Sequence, residues 1–151
     1  MMKVAHPIAG TLALVMIMTF WASTVFSELF ASTVVVTTIK TLIPWGFLIL
    51  VPALAITGAS GFRLGKTWRG KVVTRKRKRM PIIAVNGLLV LIPSALYLSV
   101  KAQAGAFDTG FYVIQALELI AGAANITLLA LNMRDGLRLS GKLPRRPALG
   151  R

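Results

Sequence analysis

The sequence predicts an all-α integral membrane protein, a bundle of four transmembrane helices with both termini in the cytoplasm. Three observations predict it. Hydrophobic residues make up 56% of the 151 residues and charged residues only 15%, against roughly 25% charged in soluble domains. Mean hydropathy is +0.73, and apolar runs long enough to cross a hydrocarbon core recur along the chain. Basic residues are abundant, 18 Lys and Arg against 4 Asp and Glu, yet they gather in a few connections instead of covering a surface.

The first run spans about 7–26, the second about 43–60, the third about 81–100 and the fourth about 110–133. At about 1.5 Å rise per residue each approaches the roughly 30 Å of a bilayer core. Pro44 and Pro81 stand near expected helix starts, where a missing N–H costs little. Pro52 and Pro93 fall inside spans and predict kinks. Residues 31–43, rich in Val and Thr, are compatible with a loop or with an extension of the second helix. A four-span domain over 1–138 is followed by a basic tail, 139–151, expected to be disordered.

Orientation follows from the connections. The loop 63–80 carries Arg63, Lys66, Arg69, Lys71, Arg75, Lys76, Arg77, Lys78 and Arg79. Lys3 and six residues from Arg134 onward bring this side to sixteen, and only Lys40 and Lys101 stand in the other two connections. The basic side is therefore expected in the cytoplasm, as in a bacterial inner (cytoplasmic) membrane. Its partners would be anionic lipid headgroups, each basic residue contributing about 1 kcal/mol near the surface, and not nucleic acid. Trp45 and Trp68 fit interfacial anchors. The N-terminal run exceeds a typical signal-peptide apolar region and lacks a clean cleavage motif, so it reads as a retained helix.

No cysteine is present, which removes disulfides, thiolate metal sites and covalent haem attachment. One histidine and four carboxylates argue against a zinc or di-iron centre within one chain. No nucleophile–base constellation or phosphate-binding glycine loop occurs in a suitable setting, so catalysis by side chains alone is not expected. No internal repeat supports an inverted-repeat transporter.

Polar residues inside spans should face the bundle interior. Gln115, Glu118, Gly122, Asn125 and Asn132 share one face of the fourth helix, with Ala121 and Gly122 small enough for a neighbour to approach closely. Glu118 lies deep in its span with no Lys or Arg expected within the other spans. It is read as a protonated donor to a hydroxyl such as Ser23 or Thr24, or as a group handling protons or a quinone. Asn86 in the third span reads as interhelical glue. Ala5, Ala9 and Ala13, with Gly10, form a small-residue stripe suited to close packing or to a flat ligand.

His6 is expected at the start of the first helix with Pro7 in its first turn, an interfacial cap in the simplest reading. The stretch "AHPIAGTLAL" also resembles the His-Pro openings of helices in the b561-type membrane cytochromes. The resemblance implies haem b, His6 as an axial iron ligand, and electron transfer. Those cytochromes carry several histidines and this chain has one, so the second ligand would be Met133, or Met80, or a second His6 across a homodimer. Arg63, Lys78 and Arg79 would then hold the propionates. Two further functions stand beside this one: a non-catalytic accessory subunit of a larger membrane complex, and a small proton-coupled exporter. The last is similar to the small multidrug-resistance transporters, whose membrane glutamate lies in the first helix. Here Glu28 stands at that helix's far end.

Overall fold

A computed structural model describes residues 2–65 and 71–141, all of them in helices and short turns. Helix α1 runs Met2–Phe30 and α2 runs Thr33–Gly65. α3, Lys71–Asn86, passes through a π-helical turn at Gly87–Leu91 into α4, Ile92–Gln103. α5 covers Thr109–Leu139. Among the described residues four stretches are long and apolar enough to cross a membrane: Ala5–Phe30, Thr33–Arg63, Val73–Gln103 and Thr109–Leu139. Large apolar side chains point outward along all four, among them Leu29, Leu48, Leu89, Val100 and Ile120. In water such a surface would far exceed what a soluble monomer exposes.

The helices run longer than the apolar runs that announced them. Residues 33–43 are helical, and the two-residue turn at Ala31–Ser32 is closed by the Ala31 and Val36 amides on the Ser27 and Ser32 carbonyls. The β-branched composition does not oppose this, because Thr37, Thr38 and Thr41 return their hydroxyls to carbonyls one turn back. Their polar atoms are thereby satisfied inside the helix. Most of the expected loop 63–80 is likewise helical, since α2 reaches Gly65 and α3 begins at Lys71. Pro81 therefore lies inside a helix instead of at its start. Lys66, Trp68 and Arg69 of the basic segment, and the tail beyond residue 141, lie outside the described residues.

α2 continues unbroken through Pro44 and Pro52. At Pro93 the ladder changes: the Ile92 amide reaches back five residues to the Gly87 carbonyl. Proline cannot donate to the carbonyl four residues earlier, and a widened turn just before it accommodates the ring.

Packing is tightest between α1 and α2, where the small-residue stripe is spent. Ala9 and Ala13 are buried, Gly10 meets Thr57, and Gly46 lies so close to the Phe20 ring that a methyl group there would overlap it. One core cluster joins Ala13, Ile17, Leu50, Ala53, Ile83 and Leu129; a second, nearer the turns, joins Val36, Leu98, Ala102 and Phe111. α5 packs antiparallel to α1. Trp21 seats on Gly122 and donates its indole N–H to the Leu119 carbonyl at 2.9 Å. A Cβ at residue 122 would come within 2.9 Å of the Trp21 ring, so glycine is required there.

Asp108 caps α5, its carboxylate accepting the Phe111 amide at 3.0 Å and the Lys101 ammonium. The Lys101 hydrogen bond, then the Phe111 amide, hold the Asp108 carboxyl below its ordinary 3.8. Its charged form is thus favoured in the folded chain. The contribution is full above the ordinary value and disappears as pH falls through the lower folded one. The gap in melting temperature between wild type and Asp108→Asn should therefore narrow on acidification. A gap that stays constant would contradict this.

Candidate functional site

Three polar layers cross the bundle interior. The first lies in the half nearer the turns. Lys40 of α2 donates to Glu118 of α5 at 2.8 Å, with side-chain exposures of 1% and 13%. This corrects the expectation that Glu118 has no cation within the spans and turns to Ser23 or Thr24. Ser23 instead donates to the Thr19 carbonyl of its own helix. Lys40 falls in a connection only if α2 begins near residue 43, where the apolar run starts. With α2 starting at Thr33, Lys40 lies on the inward face with Val36, Ile43 and Leu50, all buried. That spacing of four, three and seven was the available signal. Glu28 of α1 lies within electrostatic reach of both Lys40 and Glu118.

The middle layer is neutral. Asn86 of α3 donates from its amide to the Asn125 side-chain carbonyl and the Ala121 backbone carbonyl, each at 2.9 Å. Asn125 donates in turn to the Ile83 carbonyl. Asn86 thus joins α3 to α5, as its sequence position suggested. A five-residue wide turn directly follows it, where the α-helical ladder is already interrupted.

The third layer lies at the basic end. Arg79 of α3 pairs with Asp135 of α5 at 2.8 Å, and Asn132 donates to the Met80 sulfur at 3.4 Å. His6 sits inside α1, not at its cap, because the helix begins at Met2. Its Nδ1 is 2.9 Å from the Ser60 hydroxyl oxygen, and its Nε2 is 3.5 Å from the Lys76 ammonium. The Ser60 hydroxyl hydrogen is committed to the Ile56 carbonyl. Nδ1 must therefore donate, and Nε2 is left as acceptor for Lys76.

Within one chain this arrangement does not gather a haem site. The nitrogen that would bind iron faces an ammonium group, and Met133 is 37% exposed on the outer side of α5. Arg63 and Lys78 are exposed, while the Arg79 guanidinium is engaged by Asp135. His6, Met133 and the three basic residues are thus not gathered around one space. Among the described residues no three His, Cys, Asp or Glu side chains form a metal-binding group.

An interior space lies elsewhere. A cavity of about 340 Å³ occupies the bundle interior between the first and third layers, within the range of small-molecule pockets. Its walls are apolar, with Phe20, Leu50 and Leu91 among them, and neither His6 nor any methionine takes part. Polar groups enter at one end, where Thr24 and Glu118 contribute, and at the middle layer through Asn125. α2 and α3 scarcely touch. Leu54 and Gly58 of α2 on one side, and Ala84 of α3 with Leu88 of the π-helical turn on the other, line the cavity where these helices separate.

No family model, curated protein or solved structure matches this chain.

Proposed function

We propose that the protein is a membrane protein whose interior cavity binds a neutral, lipid-soluble molecule of the quinone type. The bundle would span a bacterial cytoplasmic membrane with its basic end inside, where exposed Arg63 and Lys78 meet anionic headgroups. The observation that carries the reading is a buried ion pair, Lys40–Glu118, whose carboxylate forms part of the wall of an apolar cavity. Ionisable groups within membrane spans are expensive and serve function by default. Replacing such a pair by packed apolar residues is often neutral or favourable for stability. Packing alone thus gives no reason to keep it.

The chemistry of the cavity suits a neutral ligand. Glu118 is already neutralised by Lys40, so a cation gains little there. The apolar walls take a ring or an isoprenoid tail. The Thr24 hydroxyl suits a quinone carbonyl as donor, and the Glu118 carboxylate suits a quinol hydroxyl as acceptor. The gap between α2 and α3 offers entry from the lipid.

Trp21 lines the cavity, which makes its fluorescence the natural readout. Titration of the protein in lipid nanodiscs with a short-chain quinone should quench Trp21 saturably, measured with Trp45 and Trp68 replaced by phenylalanine. A Cβ at Gly58 meets only the Met80 methyl at 3.9 Å, so Gly58→Leu should fold while filling the cavity. It should weaken binding at least tenfold. Quenching that does not saturate, or that is unchanged in Gly58→Leu, would exclude the reading.

A second reading, proton-coupled export of a lipophilic cation, draws on Glu28. With Glu28 in reach of Lys40, Lys40 has a second acid to pair with, which would release Glu118 to a cationic ligand. Saturable quenching by a lipophilic phosphonium and none by the quinone would favour this reading over the first.

A further inference from the structure

Beyond the Lys40–Glu118 pair, toward the turns, lies a set of buried polar atoms that the protein itself leaves unsatisfied. Gln115, 5% exposed, finds no protein partner for either its amide nitrogen or its carbonyl oxygen. Glu28 has one carboxylate oxygen, Oε1, buried in the same condition. Such groups in a folded interior cost about 1–3 kcal/mol each unless something satisfies them.

Helix register places these groups together. The Trp21–Leu119 hydrogen bond fixes α1 against antiparallel α5. From that bond Glu28 lies seven residues along α1 and Gln115 four residues back along α5, about 10 Å and 6 Å toward the turns. Gln115 also shares a face with Glu118, one turn away. Glu28 is coupled electrostatically to Lys40 and Glu118. At this end the remaining charges, Lys101 and Asp108, are paired with each other, and Gln103 donates to Ser99. None of these is the missing partner.

The orphaned atoms comprise one donor, the Gln115 amide nitrogen, and two acceptors, the Gln115 and Glu28 oxygens. A cation would satisfy the oxygens and repel the amide. An anion would satisfy the amide and be repelled by Glu28. Water donates and accepts, and buried waters commonly make about three hydrogen bonds to groups of this kind. We infer that Glu28, Gln115 and Glu118 enclose a buried water site, and that this site is the proton route between the turn end of the bundle and the Lys40–Glu118 pair. Along it a proton passes from one carboxyl through water to the other carboxylate. Only O–H bonds break and form, and no other reactant is needed. The inference goes beyond the quinone reading and does not require any ligand in the cavity.

Water-edited solid-state NMR on the wild-type protein in lipid bilayers tests it directly. Asn125 is an internal standard, also buried, at 1% exposure against 5%, but with both side-chain polar atoms engaged by protein. Magnetisation from water should reach the Gln115 side-chain amide at least threefold faster than that of Asn125. Equal rates would overturn the water site. The route is tested by the rate at which deuterium reaches the Lys40 ammonium after transfer to D2O, read from its nitrogen signal. Exchange should be at least tenfold slower in Gln115→Leu than in wild type, with Gln115→Glu restoring the rate. A rate unchanged in Gln115→Leu would overturn the route. If Gln115→Leu fails to assemble, Gln115→Met replaces it with the same expectations. Neither measurement involves quinone, so failure here and failure of the quinone reading are separately visible.

Discussion

Lys40→Met should be the most damaging single substitution in the protein, lowering stability by about 3–5 kcal/mol. It leaves Glu118 in an interior where Lys40, 1% exposed, was its hydrogen-bonded cation. The carboxyl must then take up a proton or stay charged without a counter-ion, and either outcome disfavours the fold. Lys40→Met/Glu118→Leu should recover most of the loss, since an apolar pair of similar volume removes the unpaired charge along with its partner. Thermal melting of the three proteins in one detergent provides the comparison. A Lys40→Met protein as stable as wild type would mean that Glu118 finds another partner. The double variant has a second use: it should be stable yet unable to bind quinone, which separates the structural role of the pair from its role in the cavity.

Arg79→Met should follow, toward the lower end of the same range of about 3–5 kcal/mol. Asp135, 5% exposed, is more deeply buried than Glu118 at 13%, but Arg79 keeps 19% exposure where Lys40 has 1%, so water already weakens the pair. Lys76 also feels the Asp135 charge and supplies part of the compensation once Arg79 is gone. Lys78→Met is the control. Lys78 is exposed on the same helix, and its loss should change stability by no more than about 0.5 kcal/mol. If the two substitutions have equal effects, the Arg79–Asp135 pair does not anchor α3 to α5.

The two pairs differ in how well they could be foreseen. Arg79 is one of many basic residues crowded into residues 63–80 and looks like any other until α5 brings Asp135 to it. Lys40 was hidden by a boundary. Hydropathy windows end where polar residues begin, and "TVVVTTIKTLI" contains enough Thr and Lys to resemble a connection. Thr37, Thr38 and Thr41 are satisfied by their own helix, and its lysine is satisfied by a residue 78 positions away. Glu118 illustrates the same limit. Its inward face was legible from its spacing to Gln115, Gly122 and Asn125, and its partner was not. His6 is the opposite case. A motif of residue type and order suggested a ligand, but the neighbours of both ring nitrogens come from α2 and α3.

What the sequence determined by itself is the number of long apolar helices, the absence of thiolate chemistry, and the inward face of α5. Each depends on residue types at fixed short spacings, which helix geometry converts into a face or a length without reference to the rest of the chain. The tertiary structure alone decided which charges are paired, where the interior space lies, and what His6 touches. These depend on contacts between helices distant in sequence, at separations of a few ångströms. A shift of a single helical turn would exchange one partner for another while leaving composition and periodicity unchanged.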